Sequence, residues 1–144
     1  MGLFRSTKQI FRILRDTNDN RALERQRNID KVYQLVLNNE IQNINIRNIT
    51  TMNQKFNALV FKDKLNYYLG YRFINLKGFN SFGFKDDVDL IFCDKKYQVI
   101  ETYSNFKPNK VTEYFKNGAV VYVLAKNMNK YLDIKIKDII KISK

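Results

Sequence analysis

Apolar positions recur with two different periods along this chain, and the change of period divides it. Leu3, Thr7, Ile10 and Leu14 follow helical spacing, with Phe4 and Phe11 beside them. Arg5, Lys8, Arg12 and Arg15 line another face of the same predicted helix, residues 3–15. The run DTNDN at 16–20 is a cluster of turn formers that can cap a second helix over 21–38. Its apolar positions are Ala22, Ile29, Val32, Tyr33, Val36 and Leu37. The pattern therefore predicts two linked helices at the N-terminus.

After Asn39 the texture becomes strand-like. Ile44 and Ile46 alternate with asparagines, which predicts a short, poorly buried strand. Phe56 to Phe61 also reads as a strand. Asp63 can cap a short helix through Leu69, with Gly70 as its stop and Tyr67, Tyr68 and Tyr71 on or beside it. Gly78 to Gly83 is a flexible aromatic loop. Val88 to Cys93 is a strong strand, followed by a turn at Asp94-Lys95-Lys96 and a second strand from Tyr97. Ala119 to Ala125 is almost continuously apolar and β-branched, which places it centrally in a sheet. Ile139 to Ile142 closes the chain. The expected fold is α+β: two N-terminal helices, then a compact β-rich domain, barrel- or sandwich-like, with one short helix. The expected division is a basic helical arm, 1–52, and a globular domain, 53–144.

One stretch carries a family resemblance. Ser81-Phe82-Gly83-Phe84 forms a turn before the strand Val88-Asp89-Leu90-Ile91-Phe92-Cys93-Asp94. Ala58, Lys64, Lys107-Pro108, Val123-Leu124 and Lys137-Asp138 fall at matching spacings. Over about residues 55–143 this resembles the bacterial and archaeal family called domain of unknown function 192. Tyr67, Phe84, Asp87 and Lys137 depart from that family's usual residues. The resemblance implies a compact, β-rich domain with one short helix. It implies no activity, because the family has no settled one.

Composition narrows the function. The chain has 144 residues, 44% of them hydrophobic and 14% aromatic, enough to build a packed core. No apolar run reaches the roughly 18 residues of a membrane-spanning helix. The basic start is interrupted by Arg12 and Arg15 and lacks a signal-peptide pattern. The expected location is the cytoplasm, or a virion assembled there. Cys93 is the single cysteine, expected as a buried reduced thiol. The net charge of +12 suggests an anionic partner. Lys, Asn, Ile, Tyr and Phe are also the residues an AT-rich genome favours, so arginine is the better witness. Seven of the eight arginines, at 5, 12, 15, 21, 25, 27 and 47, precede residue 48. Their planar forks suit phosphates and carboxylates.

Several chemistries are missing. Without histidine there is no Ser-His-Asp or Cys-His site and no ordinary zinc site. No glycine-rich phosphate loop is present. Asp86, Asp87, Asp89 and Asp94 crowd one turn and strand. The expected role of Asp89 is to bind turn backbone amides, with Phe82, Gly83, Phe84 and Asp94 as the rest of that structural turn. Cation binding or acid–base catalysis by these carboxylates is the weaker alternative. No cofactor, metal or small-molecule substrate is expected. The expected function is that of a non-enzymatic structural or docking protein. Its β-rich module would be fastened to a larger assembly by the arm: Arg5, Lys8, Arg12, Arg15, Arg21, Arg25 and Arg27 beside Leu3, Ile10 and Leu14. The opening MGLFRSTKQIF is similar to the start of some phage head proteins, so a phage particle is one setting. The alternative is a nucleic-acid or ribonucleoprotein-binding accessory protein. A membrane surface is not the expected partner.

Overall fold

The computed structural model describes residues 31–60 and 65–143. The arm residues Leu3, Arg5, Lys8, Ile10, Arg12, Leu14, Arg15, Arg21, Arg25 and Arg27 lie outside the described residues, as does the predicted helix 3–15. Residues 32–144 form one compact unit.

That unit is built on one seven-stranded sheet. Its strands are β1 (Val32–Leu37), β2 (Glu40–Ile49), β3 (Leu69–Ile74), β4 (Val88–Cys93), β5 (Val99–Phe106), β6 (Val120–Ala125) and β7 (Ile140–Ile142). Their order across the sheet is β5-β4-β6-β3-β2-β1-β7. All neighbours pair antiparallel except β2 and β3, which are parallel. A parallel pair needs a crossover, here supplied by α1 (Met52–Lys55) and a π-helical turn (Phe56–Val60). The other helix is α2 (Met128–Tyr131).

This overturns the α+β expectation. Val32 to Leu37, read as the end of a second helix, is strand β1. It turns back into β2 through Asn38 and Asn39, whose φ angles are 49° and 68°. Two successive positive φ values make the tight hairpin that matches strand twist, and asparagine tolerates them. Non-local pairing on both sides, with β2 and β7, fixes β1 as a strand despite its helical spacing. Residues 32–49 therefore belong to the sheet, not to an arm ending at residue 52.

Three smaller expectations also change. Ile44 and Ile46 are buried, in a ten-residue strand rather than a short exposed one. The stretch from Phe56 is a helical turn, not a strand. Gly70 does not stop a helix but lies inside β3. A Cβ there would sit 2.4 Å from Leu124 Cδ2 and 3.0 Å from Ile46 Cδ1, so glycine allows close packing across the sheet interior.

The core lies on both faces of the central strands. Every residue of β4 and β6 is buried. Leu90, Phe92, Val121 and Val123 face one cluster with Leu59, Tyr71, Phe73, Phe79 and Phe84. Ile91, Cys93, Tyr122 and Leu124 face the other, with Leu35, Ile44, Ile46 and Ile140. The edge strands also meet at one corner. Gln98 pairs with Ile139, Ile140 N donates to Tyr97 O at 2.9 Å, and Val99 N donates to Asp138 O at 2.8 Å. Lys137 N donates to Val99 O at 2.8 Å. The corner at which β5 and β7 meet carries several lysines.

Candidate functional site

At this corner two turns lie side by side. The β4–β5 turn carries Lys95, Lys96 and Tyr97; the segment leading into β7 carries Lys135 and Lys137, and β7 itself Lys141. Tyr97 has a φ of 67° and Lys137 a φ of 81°, so both turns are tight and push their side chains outward. Lys141 Nζ lies 5.3 Å from the centroid of the Tyr97 ring, a cation–π contact at a partly exposed aromatic.

Two carboxylates of the corner, Asp94 and Asp138, bind turn amides. Asp94 Oδ1 accepts from the backbone N–H groups of Lys96 at 2.9 Å and Gln98 at 3.0 Å. Asp138 Oδ2 accepts from Lys135 N at 2.7 Å, and its Oδ1 accepts from Asn38 Nδ2 at 3.1 Å. Asp133 pairs with Lys135 at 3.4 Å. Among the described residues no ion pair engages Lys95, Lys96, Lys137 or Lys141. Five lysines against three carboxylates leave the corner net positive, with its cations directed to solvent. The predicted role of Asp94 as a turn residue thus has a geometric account. The lysines around it were not singled out from sequence, although Lys95-Lys96 and the run from Lys135 to Lys141 were visible as charge. Only the pairing of β5 with the approach to β7 brings them together.

Asp89 is fully buried on β4. Its Oδ1 accepts from Asn105 N at 2.8 Å and its Oδ2 from Asn129 N at 2.7 Å. These amides belong to β5 and α2, not to the turn preceding Asp89. Asn129 reinforces the junction by donating from Nδ2 to Leu90 O and Tyr103 O, both at 3.2 Å. Asn105 Nδ2 donates to Asn127 Oδ1 at 3.1 Å. Asp89 therefore joins three elements. Asp86 and Asp87 instead pair with Lys126 at 3.3 Å and Lys107 at 2.6 Å. Among the described residues no group of acidic, cysteine or histidine side chains is arranged to hold a metal ion.

The aromatic loop divides. Phe79 and Phe84 are buried and meet edge to face at 5.9 Å, while Phe82 is exposed at the tip. Gly83 takes a φ of 81°, and its N–H donates to Asn109 Oδ1 at 3.0 Å. Lys55, from α1, is 6% exposed. Its Nζ donates to Asn80 O at 2.9 Å and lies 4.4 Å from the Phe79 ring centroid. Burial pushes its pKa below the ordinary lysine value. Carbonyl oxygen and ring face both favour the ammonium, so Lys55 clamps the loop onto α1.

A separate open cleft of about 430 Å³ lies between the start of β2, the turn before β3, and α2. Tyr67, Tyr68 and Tyr131 line it at 53%, 63% and 80% exposure. Gln42, Asn43 and Asn127 add carboxamides. Among the described residues no charged side chain lines it.

No protein-family model matches the sequence, and no curated protein does. The fold is similar to two solved structures. One is a protein of unknown function from Novosphingobium aromaticivorans DSM 12444, with a TM-score of 0.65 and 16% identity over 76% of this chain and 83% of that one. The other is from Sinorhizobium meliloti 1021 and is provisionally named a transcription regulator. It gives a TM-score of 0.67 and 12% identity over 78% of this chain and 94% of that one. At these identities the likeness concerns the fold alone. Among the described residues no helix is long and apolar enough to cross a membrane.

Proposed function

We propose that this protein is a non-enzymatic accessory module that binds nucleic acid through its phosphates. The observation that supports this most is the corner that carries Lys95, Lys96, Lys137 and Lys141, the last over the Tyr97 ring, without a carboxylate partner among the described residues. Outward ammonium groups beside an aromatic ring suit a polyanion bound without base readout. The arm arginines that the sequence concentrates before residue 48 would add further phosphate contacts.

The test is fluorescence anisotropy of the full chain on a labelled duplex across a salt series. Four phosphate contacts give a logarithmic salt slope of about −3.6, hence roughly a 150-fold weakening between 50 and 200 mM salt. The combined variant Lys95→Glu, Lys96→Glu, Lys137→Glu should keep its thermal transition and lose most of the affinity. Salt-insensitive binding, or unchanged affinity in that variant, would refute the reading.

A second reading, docking to a protein assembly, draws on another surface. Phe82, Val111 and Tyr114 are exposed on two loops joined by the Asn80–Val111 bridge. Exposed apolar side chains grouped this way suit a protein contact. Replacing all three with serine should abolish co-purification with that assembly while leaving anisotropy on duplex unchanged.

A further inference from the structure

We propose that Tyr97 and Lys137 are the direct contacts of the lysine-bearing corner with its ligand, Tyr97 stacking on an unpaired base and Lys137 meeting a phosphate, so that the corner prefers single strands to duplex. This rests on the nucleic-acid reading above and names the contact residues and the substrate class of that same site.

Both residues hold a backbone conformation that their side chains disfavour. Tyr97 has a φ of 67° and Lys137 a φ of 81°. In this region Cβ crowds a carbonyl oxygen. Glycine escapes the clash, and the short side chains of asparagine and aspartate offset it by hydrogen-bonding locally. Apart from Tyr97 and Lys137, every non-glycine residue of positive φ among the described residues is an asparagine or Asp133. Such positions therefore go to tolerant residues, with two departures. Both departures fall at the corner, on segments hydrogen-bonded to each other: Lys137 N donates to Val99 O, and Ile140 N to Tyr97 O. Tyr97 also closes the β4–β5 turn, its N–H donating to Asp94 O at 3.1 Å, where glycine or asparagine would be less strained.

Neither side chain is needed by the core. Both are exposed, and neither belongs to a core cluster. Lys137 engages no ion pair among the described residues. The Lys141 contact at a ring 46% exposed is no stronger than the Tyr97 conformation is strained. Side chains kept at strained positions outside the core point to a contact made outside the chain.

The two side chains divide the ligand between them. The open part of the Tyr97 ring offers a stacking surface, and Lys137 offers a cation. A nucleic-acid strand brings a flat ring and an anion in every repeat. An acidic peptide brings both only where particular residues fall together. A duplex keeps its bases stacked and paired, so it meets the lysines without using the ring.

The experiment measures, for the full chain, the urea midpoint and the anisotropy on labelled oligothymidylate and on a blunt duplex of equal length. Wild type should bind the single strand more tightly. Tyr97→Asn should raise the urea midpoint and weaken single-strand binding roughly 5- to 150-fold, the range for losing one stacked base, with duplex affinity unchanged. Tyr97→Phe should keep the wild-type affinity, because the ring remains. Lys137→Asn should raise the midpoint and reduce the logarithmic salt slope by about 1 on both oligonucleotides. A gain in stability together with a loss of binding is not what a structural role produces. Equal wild-type affinity for the two oligonucleotides, unaltered single-strand affinity in Tyr97→Asn, or a lowered midpoint in both asparagine variants overturns this inference and leaves the phosphate reading standing. Failure of the wild type to bind either oligonucleotide, or tighter binding of polyglutamate than of oligothymidylate, overturns both.

Discussion

Removing the buried carboxylate of Asp89 should cost more than removing a turn residue. Both of its oxygens accept backbone N–H groups, at 2.8 Å from Asn105 and 2.7 Å from Asn129. Hydrogen bonds to a charged group contribute roughly 1.5–3 kcal/mol each, and a buried donor left unpaired carries its full desolvation penalty. Asp89→Ala leaves both donors without a partner, so the expected loss is roughly 3–6 kcal/mol. Asp89→Asn keeps one acceptor and turns its NH₂ against the other N–H. Release of a buried charge offsets part of that, giving an expected loss of roughly 1–3 kcal/mol. A domain stable by roughly 5–15 kcal/mol would survive the asparagine change and could fail the alanine one. Urea unfolding, followed by circular dichroism, measures the order wild type, asparagine, alanine. Asn129→Ala in the Asp89→Ala background should cost less than in wild type, because the two residues form one junction. Equal midpoints for all three Asp89 proteins would refute the account.

Gly70→Ala should destabilise by roughly 1–3 kcal/mol, because its Cβ must displace Leu124 and Ile46; an unchanged urea midpoint would count against the close packing. A fragment of residues 32–144 should unfold cooperatively on heating, whereas one starting at Asn53 should not, since it lacks β1 and β2; the presence or absence of a sharp transition decides. Burial pushes the Cys93 thiol from its ordinary 9.0 up to about 12, with Asp94 adding to the rise and Arg72 opposing it. The folded state then holds this proton after the unfolded chain has released it. Stability present below pH 9 is therefore lost as pH rises towards 12, by about 4 kcal/mol over the full window for this group. Buried Tyr122 and Tyr71 are raised too, so Cys93→Val should reduce the alkaline slope of the unfolding free energy without abolishing it; identical slopes would remove the thiol's part.

Legibility in the sequence followed the range of the interactions. Strands β4 and β6 were readable because apolar β-branched runs buried on both faces leave little alternative. Strand β1 was not: VYQLVL spaces its apolar residues as a helix also would, and its identity depends on β2 and β7. The missed local signal was Asn38-Asn39. Asparagine abundance looked like genome composition, yet Asn38, Asn39, Asn75, Asn105, Asn109 and Asn127 all hold positive φ. Several of those asparagines form the turns that a glycine-poor chain needs. Asp89 was expected to bind backbone amides of its own turn, but its partners lie 16 and 40 residues away and no local pattern names them. Tyr67 and Tyr68 were assigned to a helix, whereas the turn they occupy puts both rings in the open cleft.

Charge placement gives the lysines more meaning than their number does. Residues 32–144 hold 18 of the 26 basic residues and 10 of the 14 acidic ones, so most of the net charge belongs to the sheet unit and not to the arginine-rich arm. Mutational bias towards lysine codons can raise the count anywhere on a surface. It does not explain why Asp94 and Asp138 point at backbone amides while neighbouring lysines point at solvent. Asp133, 79% exposed, stays at the surface and pairs with Lys135. The amide-bound Asp94 and Asp138 hold two tight turns and leave Lys95, Lys96, Lys137 and Lys141 without an ion pair among the described residues. Cations carried on tight, hydrogen-bonded turns lose less backbone freedom on meeting a phosphate than cations on a mobile loop would. On the phosphate-binding reading proposed above, replacing Lys95, Lys96 and Lys137 with glutamine should reduce binding in proportion to charge removed while the turns stay intact.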